Sequence, residues 1–289
     1  MKPRFDWYQG TVSAEVPAIR EALLARACDG PRNAEPMKRA PHGYAFGERI
    51  DDMDGQVAMI WWGGMHERPH VVSSGESAAL VAGVLRSEFG GGRHTVSRAD
   101  ICTDYAEPGA YDRLQSVALE VARERRIKVG TAGDHLVTMC GRTVYLGAKS
   151  SHTRLRIYDK AAELREKFQH DAQRLSEVPS ELARFECQVR PQTPEGKAAA
   201  ACAEPVAMMG SAAWMRELVQ RVEGLELQPF QAGRAWRQSD DARSYDFMLA
   251  QWGGLLQRLA SDLGSWECLG LQLRDDLSER ASLKRRGLA

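Results

Sequence analysis

Tyr158 stands in the run LRIYDK, residues 155–160, where apolar and polar side chains alternate strictly. Successive side chains of a strand point to opposite faces. Leu155 and Ile157 therefore share one face, and Arg154, Arg156, Tyr158 and Lys160 share the other. A phenol set among cations is suited to meeting a phosphate. A free phenol, with a pKa of about 10, is a poor nucleophile near neutrality, and neighbouring positive charge favours its phenolate. Arg156 and Lys160 are placed to offset charge developing on a phosphoryl group.

Two further segments carry charge on one strand face. In SRADICTDY, Arg98, Asp100, Cys102 and Asp104 alternate with apolar or small residues. In ARFECQVR, Arg184, Glu186, Gln188 and Arg190 share a face, while Phe185, Cys187 and Val189 point to the core. Should the three strands lie side by side, Asp100, Glu186 and Asp104 would surround a hard divalent cation near Tyr158. Mg²⁺ and Mn²⁺ favour oxygen ligands and can polarise a phosphoryl oxygen during displacement. The chemistry this suggests is attack of the Tyr158 oxygen on a DNA phosphodiester. Taken singly these residues have plainer explanations: a tyrosine on a mixed-charge strand is usually a packing residue, and paired Asp is commonly a solvated edge.

The elements that must position these residues follow from the rest of the chain. Its 289 residues suffice for one large or two modest domains. A hydrophobic content of 43% and a charged content of 27% are those of an ordinary globular protein. Because 39 basic residues balance 39 acidic ones, any DNA binding must rest on local patches. The six cysteines include no CxxC pair, which argues against a zinc ribbon, and reduced thiols favour a cytoplasmic location. MKPRFDWYQG lacks the apolar core of a signal peptide, and no stretch approaches the ~18 apolar residues of a membrane span.

Strands are expected around RFDWYQGTVS, GYAFGERI, QVAMIWWGG, HTVSRADICTDY, HLVTMC, RTVYLG, LRIYDK and ELARFECQVR. Helices are expected over SAEVPAIREALLARAC, capped by Ser13, and over SGESAALVAGVLRSEFGG, preceded by Ser74 and stopped by Gly90–Gly92. AYDRLQSVALEVARERRI and AAELREKFQHDAQRL complete the helical set, and residues 29–42 read as a loop. This pattern gives an α+β fold, a largely antiparallel sheet with flanking helices. Beyond residue 200 only helices are expected, with a polar connector over 225–245 and a frayed basic tail. The chain thus divides into a nicking domain, 1–200, and a helical C-terminal region, 201–289.

Read together, SRADICTDY, TVYLGAKSSHTRLRIYDKAAE and ELARFECQVR resemble the motif blocks of the replication initiation factor family. These are rolling-circle initiators of some filamentous phages and of staphylococcal-type plasmids. The blocks run T-R-x-D-hydrophobic-x-x-D, Y-x-G-x-x-x-S, R-hydrophobic-Y-D/N-K-x-x-E and R-x-E. Arg98, Asp100, Asp104, Tyr145, Gly147, Arg156, Tyr158, Asp159, Lys160, Glu163, Arg184 and Glu186 fall on them. Ser97 stands where the family often has Thr, and the spacing after Tyr145 is slightly altered. The resemblance spans roughly residues 4–195.

The resemblance implies that Tyr158 is the nicking nucleophile, forming a 5′-phosphotyrosyl link and leaving a free 3′-OH. It implies Asp100 and Glu186 as ligands of Mg²⁺ or Mn²⁺, with Asp104 as a third. Arg98, Lys149, Arg154, Arg184 and Arg190 are the expected DNA contacts, and Asp159, on the opposite strand face, is expected to be structural. Single-stranded or hairpin origin DNA is the implied substrate; a host helicase and a second copy of the chain are further partners. The alternative is a DNA-binding replication regulator that keeps the scaffold without nicking.

HERPH, residues 66–70, matches H-E-x-x-H, but Pro69 breaks the helix that a zinc protease needs, so a surface loop is the better reading. His94 and His152 read as structural, the Met and Trp residues of GSAAWMRELVQ and QWGGLLQRLA as core, and ARERRIK as a solvated face.

Overall fold

The computed structural model describes residues 2–27, 32–53, 55–232 and 240–285. Its first strands are β1 (Arg4–Val12), β2 (Asn33–Pro36), β3 (Phe46–Asp52), β4 (Gly55–Gly63) and β5 (His66–Ser74). They are followed by β6 (His94–Tyr105), β7 (Val129–Ala132), β8 (Thr143–Leu146), β9 (Thr153–Asp159) and β10 (Ala183–Val189). All ten form one sheet in the order β2-β3-β4-β5-β1-β6-β10-β9-β8-β7. Every neighbouring pair is antiparallel. The α+β architecture expected from the alternation pattern is the one observed.

One face of the sheet builds the main core. Tyr8, Val12, Ile60, Val71, Val96, Ile101, Leu155, Ile157, Phe185 and Cys187 lie on it and are buried. Against them pack α1 (Val16–Arg26), α2 (Ser77–Glu88), which buries Val81 and Leu85, and α3 (Ala110–Arg125), which buries Leu114, Ala118 and Val121. Each fully buried aliphatic or aromatic side chain here contributes about 1.5–3 kcal/mol of transfer free energy. Gly10 lets β1 and β6 approach at a register shift, since a Cβ there would lie 2.5 Å from the Thr95 carbonyl oxygen.

The strands end before residue 200, but the packed unit does not. α6 (Pro194–Cys202), α7 (Pro205–Met208) and α8 (Ala213–Glu223) contribute Ala200, Met208, Met215 and Leu218 to the same core. Compact packing divides the chain into Met1–Ala235 and Trp236–Ala289. The second unit contains α9 (Asp240–Asp262) and α10 (Trp266–Arg285), joined at Gly264, whose φ of +86° suits a residue without a Cβ. No helix among the described residues is long and apolar enough to cross a membrane.

Several local expectations are corrected. Ser13 does not cap α1: Glu15 is the N-cap residue, Pro17 opens the helix, and the Ser13 N–H donates to the Arg93 carbonyl at 2.6 Å. Ser74 closes β5, and Glu76 precedes α2. HLVTMC forms no strand, because Asp134 accepts the N–H groups of Leu136, Val137 and Thr138 at 2.9, 2.9 and 2.8 Å and curls the segment. AAELREKFQHDAQRL is two helices, α4 (Lys160–Lys167) and α5 (Ala172–Glu177), with Asp171 capping the second through the Arg174 N–H at 3.1 Å.

HERPH is not a loop but the first half of β5. Pro69 sits beyond the last β1 partner and beside a register shift in the β4 ladder, where a missing N–H breaks no regular pairing. Residues 33–36 form β2 within the segment expected to be a loop. Of the proposed connector, residues 233–239 lie outside the described residues, and α9 already begins at Asp240. The basic tail is helical to Arg285; residues 286–289 and Cys28 also lie outside the described set. Trp214 and Met215 pack on the core as expected, but Trp252 of α9 is half exposed.

Candidate functional site

Strand register places the three charged segments side by side on the face opposite the main core. Asp100 of β6 pairs with Gln188 of β10, which pairs with Arg154 of β9. One step along, Cys102, Glu186, Arg156 and Tyr145 of β8 form the next row. Asp104, Arg184, Tyr158 and Thr143 form the third. Paired strands lie about 4.8 Å apart, so Tyr158 and Glu186 are diagonal neighbours.

Tyr158 is only 3% exposed. Burial, reinforced by the negative charge of Glu186, pushes its phenol well above the ordinary range, and Arg184 and Arg156 only partly offset this. The Arg156 guanidinium lies over the ring, 3.8 Å from its centre, and the Lys160 ammonium is 5.7 Å away. Both cations are held by Glu163 of α4: Arg156 at 3.8 Å and Lys160 in a closer ion pair. Asp159 turns away to cap α4, accepting the Ala162 N–H at 2.9 Å.

Glu186 is 7% exposed, and its carboxyl is pushed up to about 7, first by burial and then by the nearby charge of Asp100. Arg156 stands 3.9 Å from it. Asp100, also buried, receives both nitrogens of a forked Arg98 and the Gln188 amide at 3.3 Å. Glu186 and Asp100 are thus two crowded carboxylates with one close cation each. The crowding makes a proton or a cation welcome between them.

Asp104 does not join them. Its two oxygens accept from Arg184 at 2.6 and 2.8 Å, and Arg4 donates to it at 2.6 Å. Burial opposes its ionisation, yet these arginines hold the carboxyl below the usual range. Of the three carboxylates expected around a cation, only Asp100 and Glu186 lie together, and no group of three or more His, Cys, Asp or Glu is arranged to hold a metal among the described residues. Arg184 is 6% exposed and also donates to Asp6 at 2.6 Å, so its guanidinium is fully engaged within the sheet.

The other cations are more accessible. Arg98 is half-buried with its guanidinium 4.4 Å from the Trp7 ring centre, and Arg154 lies 4.2 Å from that of Tyr145. Lys149 is exposed in the β8–β9 turn, where its carbonyl accepts from Arg190 at 2.9 Å. Sequence reasoning missed Asp6 and Trp7 as members of this network, and it placed Gln188 on this face without giving it a role. The signal for Asp6 and Trp7 was the mixed polarity of RFDWYQG, which a register shift between Phe5 and Trp7 turns onto the charged face.

No family model matches the sequence, and no curated protein gives a significant match. The fold does have a counterpart among solved structures: "Structure of Rolling Circle Replication Initiator Protein from Geobacillus stearothermophilus" superposes with a TM-score of 0.50 at 16% identity. The fold is similar to that of a rolling-circle replication initiator. The likeness covers 79% of this chain and 98% of the other, so nearly the whole of that protein has an equivalent here. At this identity the likeness is one of fold.

Proposed function

We propose that this chain initiates rolling-circle replication by nicking DNA at a specific site and transferring the strand through a 5′-phosphotyrosyl intermediate. The observation that carries the reading is Tyr158 between Arg156 and Lys160, diagonal to Glu186, which is in turn diagonal to Asp100, on a sheet similar in fold to a replication initiator. In the step proposed, the Tyr158 oxygen bonds to phosphorus as the P–O3′ bond breaks. The phenol proton passes to solvent, and O3′ leaves as a protonated hydroxyl. Arg156 and Lys160 exchange Glu163 for the phosphate oxygens, since a phosphate offers them the same charge-assisted hydrogen bonds. Arg98, Lys149, Arg154 and Arg190, all toward one end of these strands, hold the backbone of single-stranded or hairpin DNA leading away from Tyr158.

Asp100 and Glu186 fit a divalent cation of the Mg²⁺ or Mn²⁺ type. Two carboxylates suffice for such an ion when water and phosphate supply the remaining oxygens, and Asp100 and Glu186 stand diagonally on the adjoining strands β6 and β10. When bound, the cation polarises the phosphoryl oxygen.

A second reading, a regulator that binds DNA without nicking, is favoured by the burial of Tyr158. Incubation with DNA of the protein's own replicon separates the two. Covalent protein–DNA adduct on a denaturing gel, absent with Tyr158→Phe and in EDTA, supports nicking; binding without adduct supports the regulator.

A further inference from the structure

The charged sheet face continues away from Tyr158 into a cluster that nicking does not use. Met59 pairs with Val72, Val72 with Gln9 and Gln9 with Arg98; one step along, Trp61 pairs with His70 and His70 with Thr11. Residues 37–45 (MKRAPHGYA) pack onto this end of the face through Met37, Ala40 and Tyr44, which join Trp61, Val72 and Trp7 in a small cluster of their own.

This loop bounds a cavity of about 550 Å³ lined by residues 38–45. The Tyr44 ring stacks on His66 at 4.0 Å and lies 6.0 Å from Trp61; the His42 ring lies 5.7 Å from Trp61. Trp61 is 7% exposed and packs beneath the loop against Ala40, Met37 and Tyr44. Residues 37–45 include Lys38 and Arg39 and no acid. Flat rings and two exposed cations match the needs of an unpaired nucleotide: a π-surface and phosphate neutralisation.

We propose that the 37–45 loop forms a pocket for one unpaired nucleobase of the strand whose phosphate meets Tyr158; this rests on the nicking reading above. The base lies against Tyr44 and His42, and its flanking phosphates lie against Lys38 and Arg39. From β4 to β9 is five strand spacings, about 24 Å, so the base is several nucleotides from the scissile bond. The pocket would then read sequence at a distance from the cut.

The test uses the full chain and a labelled single-stranded oligonucleotide from its replicon, with each nucleotide in turn made abasic. Fluorescence anisotropy on the Tyr158→Phe protein should find one abasic position, distant from the nick, that weakens binding about tenfold. Tyr44→Ala and the exposed double variant Lys38→Ala/Arg39→Ala should each weaken binding of the intact strand. Tyr44→Ala should lose nothing further on that abasic strand. Losses spread evenly along the strand, or additive losses in Tyr44→Ala, overturn the pocket. Should Tyr44→Ala fail to fold, the double variant at the exposed Lys38 and Arg39 still decides. Adduct formation by the wild type is run in parallel: adduct without a sensitive distant position sinks the pocket alone, whereas no single-strand binding sinks the nicking reading with it.

Discussion

Arg156 lies over the ring of Tyr158 with 3.8 Å between guanidinium and ring centre, and it reaches Glu163 at 3.8 Å and Glu186 at 3.9 Å. The cation proposed to meet the phosphate thus caps the proposed nucleophile, held by two carboxylates in the phosphate's place. Entry of DNA must exchange one set of anionic partners for another.

Removing Glu163 should favour that exchange. Glu163→Gln is expected to tighten DNA binding about two- to fivefold at low salt, the scale of a partly exposed ion pair. The gain should shrink as salt screens it. Anisotropy titrations at two ionic strengths check this, and an unchanged or weakened affinity contradicts the competition.

Arg156 should matter more to chemistry than to binding. Arg156→Ala is expected to slow adduct formation by about 10²-fold, as loss of one charge-stabilising donor does, while DNA affinity falls less than tenfold. Arg156→Lys should recover only part of the rate, because an ammonium lacks the planar fork and ring stacking. Single-turnover rates beside binding constants separate the two effects.

Glu186 gives the protein a pH dependence whose sign is fixed. Its folded pKa, about 7, lies above the ordinary carboxylate value, so the neutral form is favoured in the fold. The associated stability is fully present below the ordinary carboxylate range and is lost as pH rises through 7. Relative to Glu186→Gln, the wild type should lose on the order of 3 kcal/mol between pH 4 and 8. Denaturant unfolding of both proteins across that range measures it. Adding Mg²⁺ at pH 8 should restore stability to the wild type and not to the variant. A flat difference with pH contradicts the crowding of Glu186 and Asp100.

Arg184 should act on stability. It is buried between Asp104 and Asp6, and Arg184→Ala leaves both carboxylates without their main partner, at a cost of about 3–5 kcal/mol. The double variant Arg184→Met/Asp104→Leu should recover much of that loss. Thermal unfolding of the single and double variants decides, and a single variant as stable as wild type contradicts this account.

The alternation of charged and apolar residues in SRADICTDY, LRIYDK and ARFECQVR was enough to assign their faces, because each strand is buried on its apolar side by helices. Their adjacency was only a supposition from sequence, since order within a sheet depends on long-range pairing that local pattern does not encode. The fate of Asp104 was not legible for the same reason. Its partners Arg4 and Arg184 are 100 and 80 residues away, and an acid promised to an arginine looks, in sequence, like an acid free for a metal. Local chemistry misled in smaller ways. Asp134 drew HLVTMC out of a strand by accepting three backbone N–H groups. Pro69 marked a strand irregularity, though its ring had suggested a loop.

The central claim is that the oxygen of Tyr158 becomes covalently joined to DNA. The wild type, incubated with single-stranded DNA from its own replicon and Mg²⁺ or Mn²⁺, should give a protein–DNA adduct that survives denaturing electrophoresis. Peptide mapping after nuclease digestion should locate a nucleotide on Tyr158, and both Tyr158→Phe and chelation with EDTA should abolish the adduct while DNA binding persists. An adduct of undiminished yield in Tyr158→Phe, or one mapped to another residue, contradicts the account.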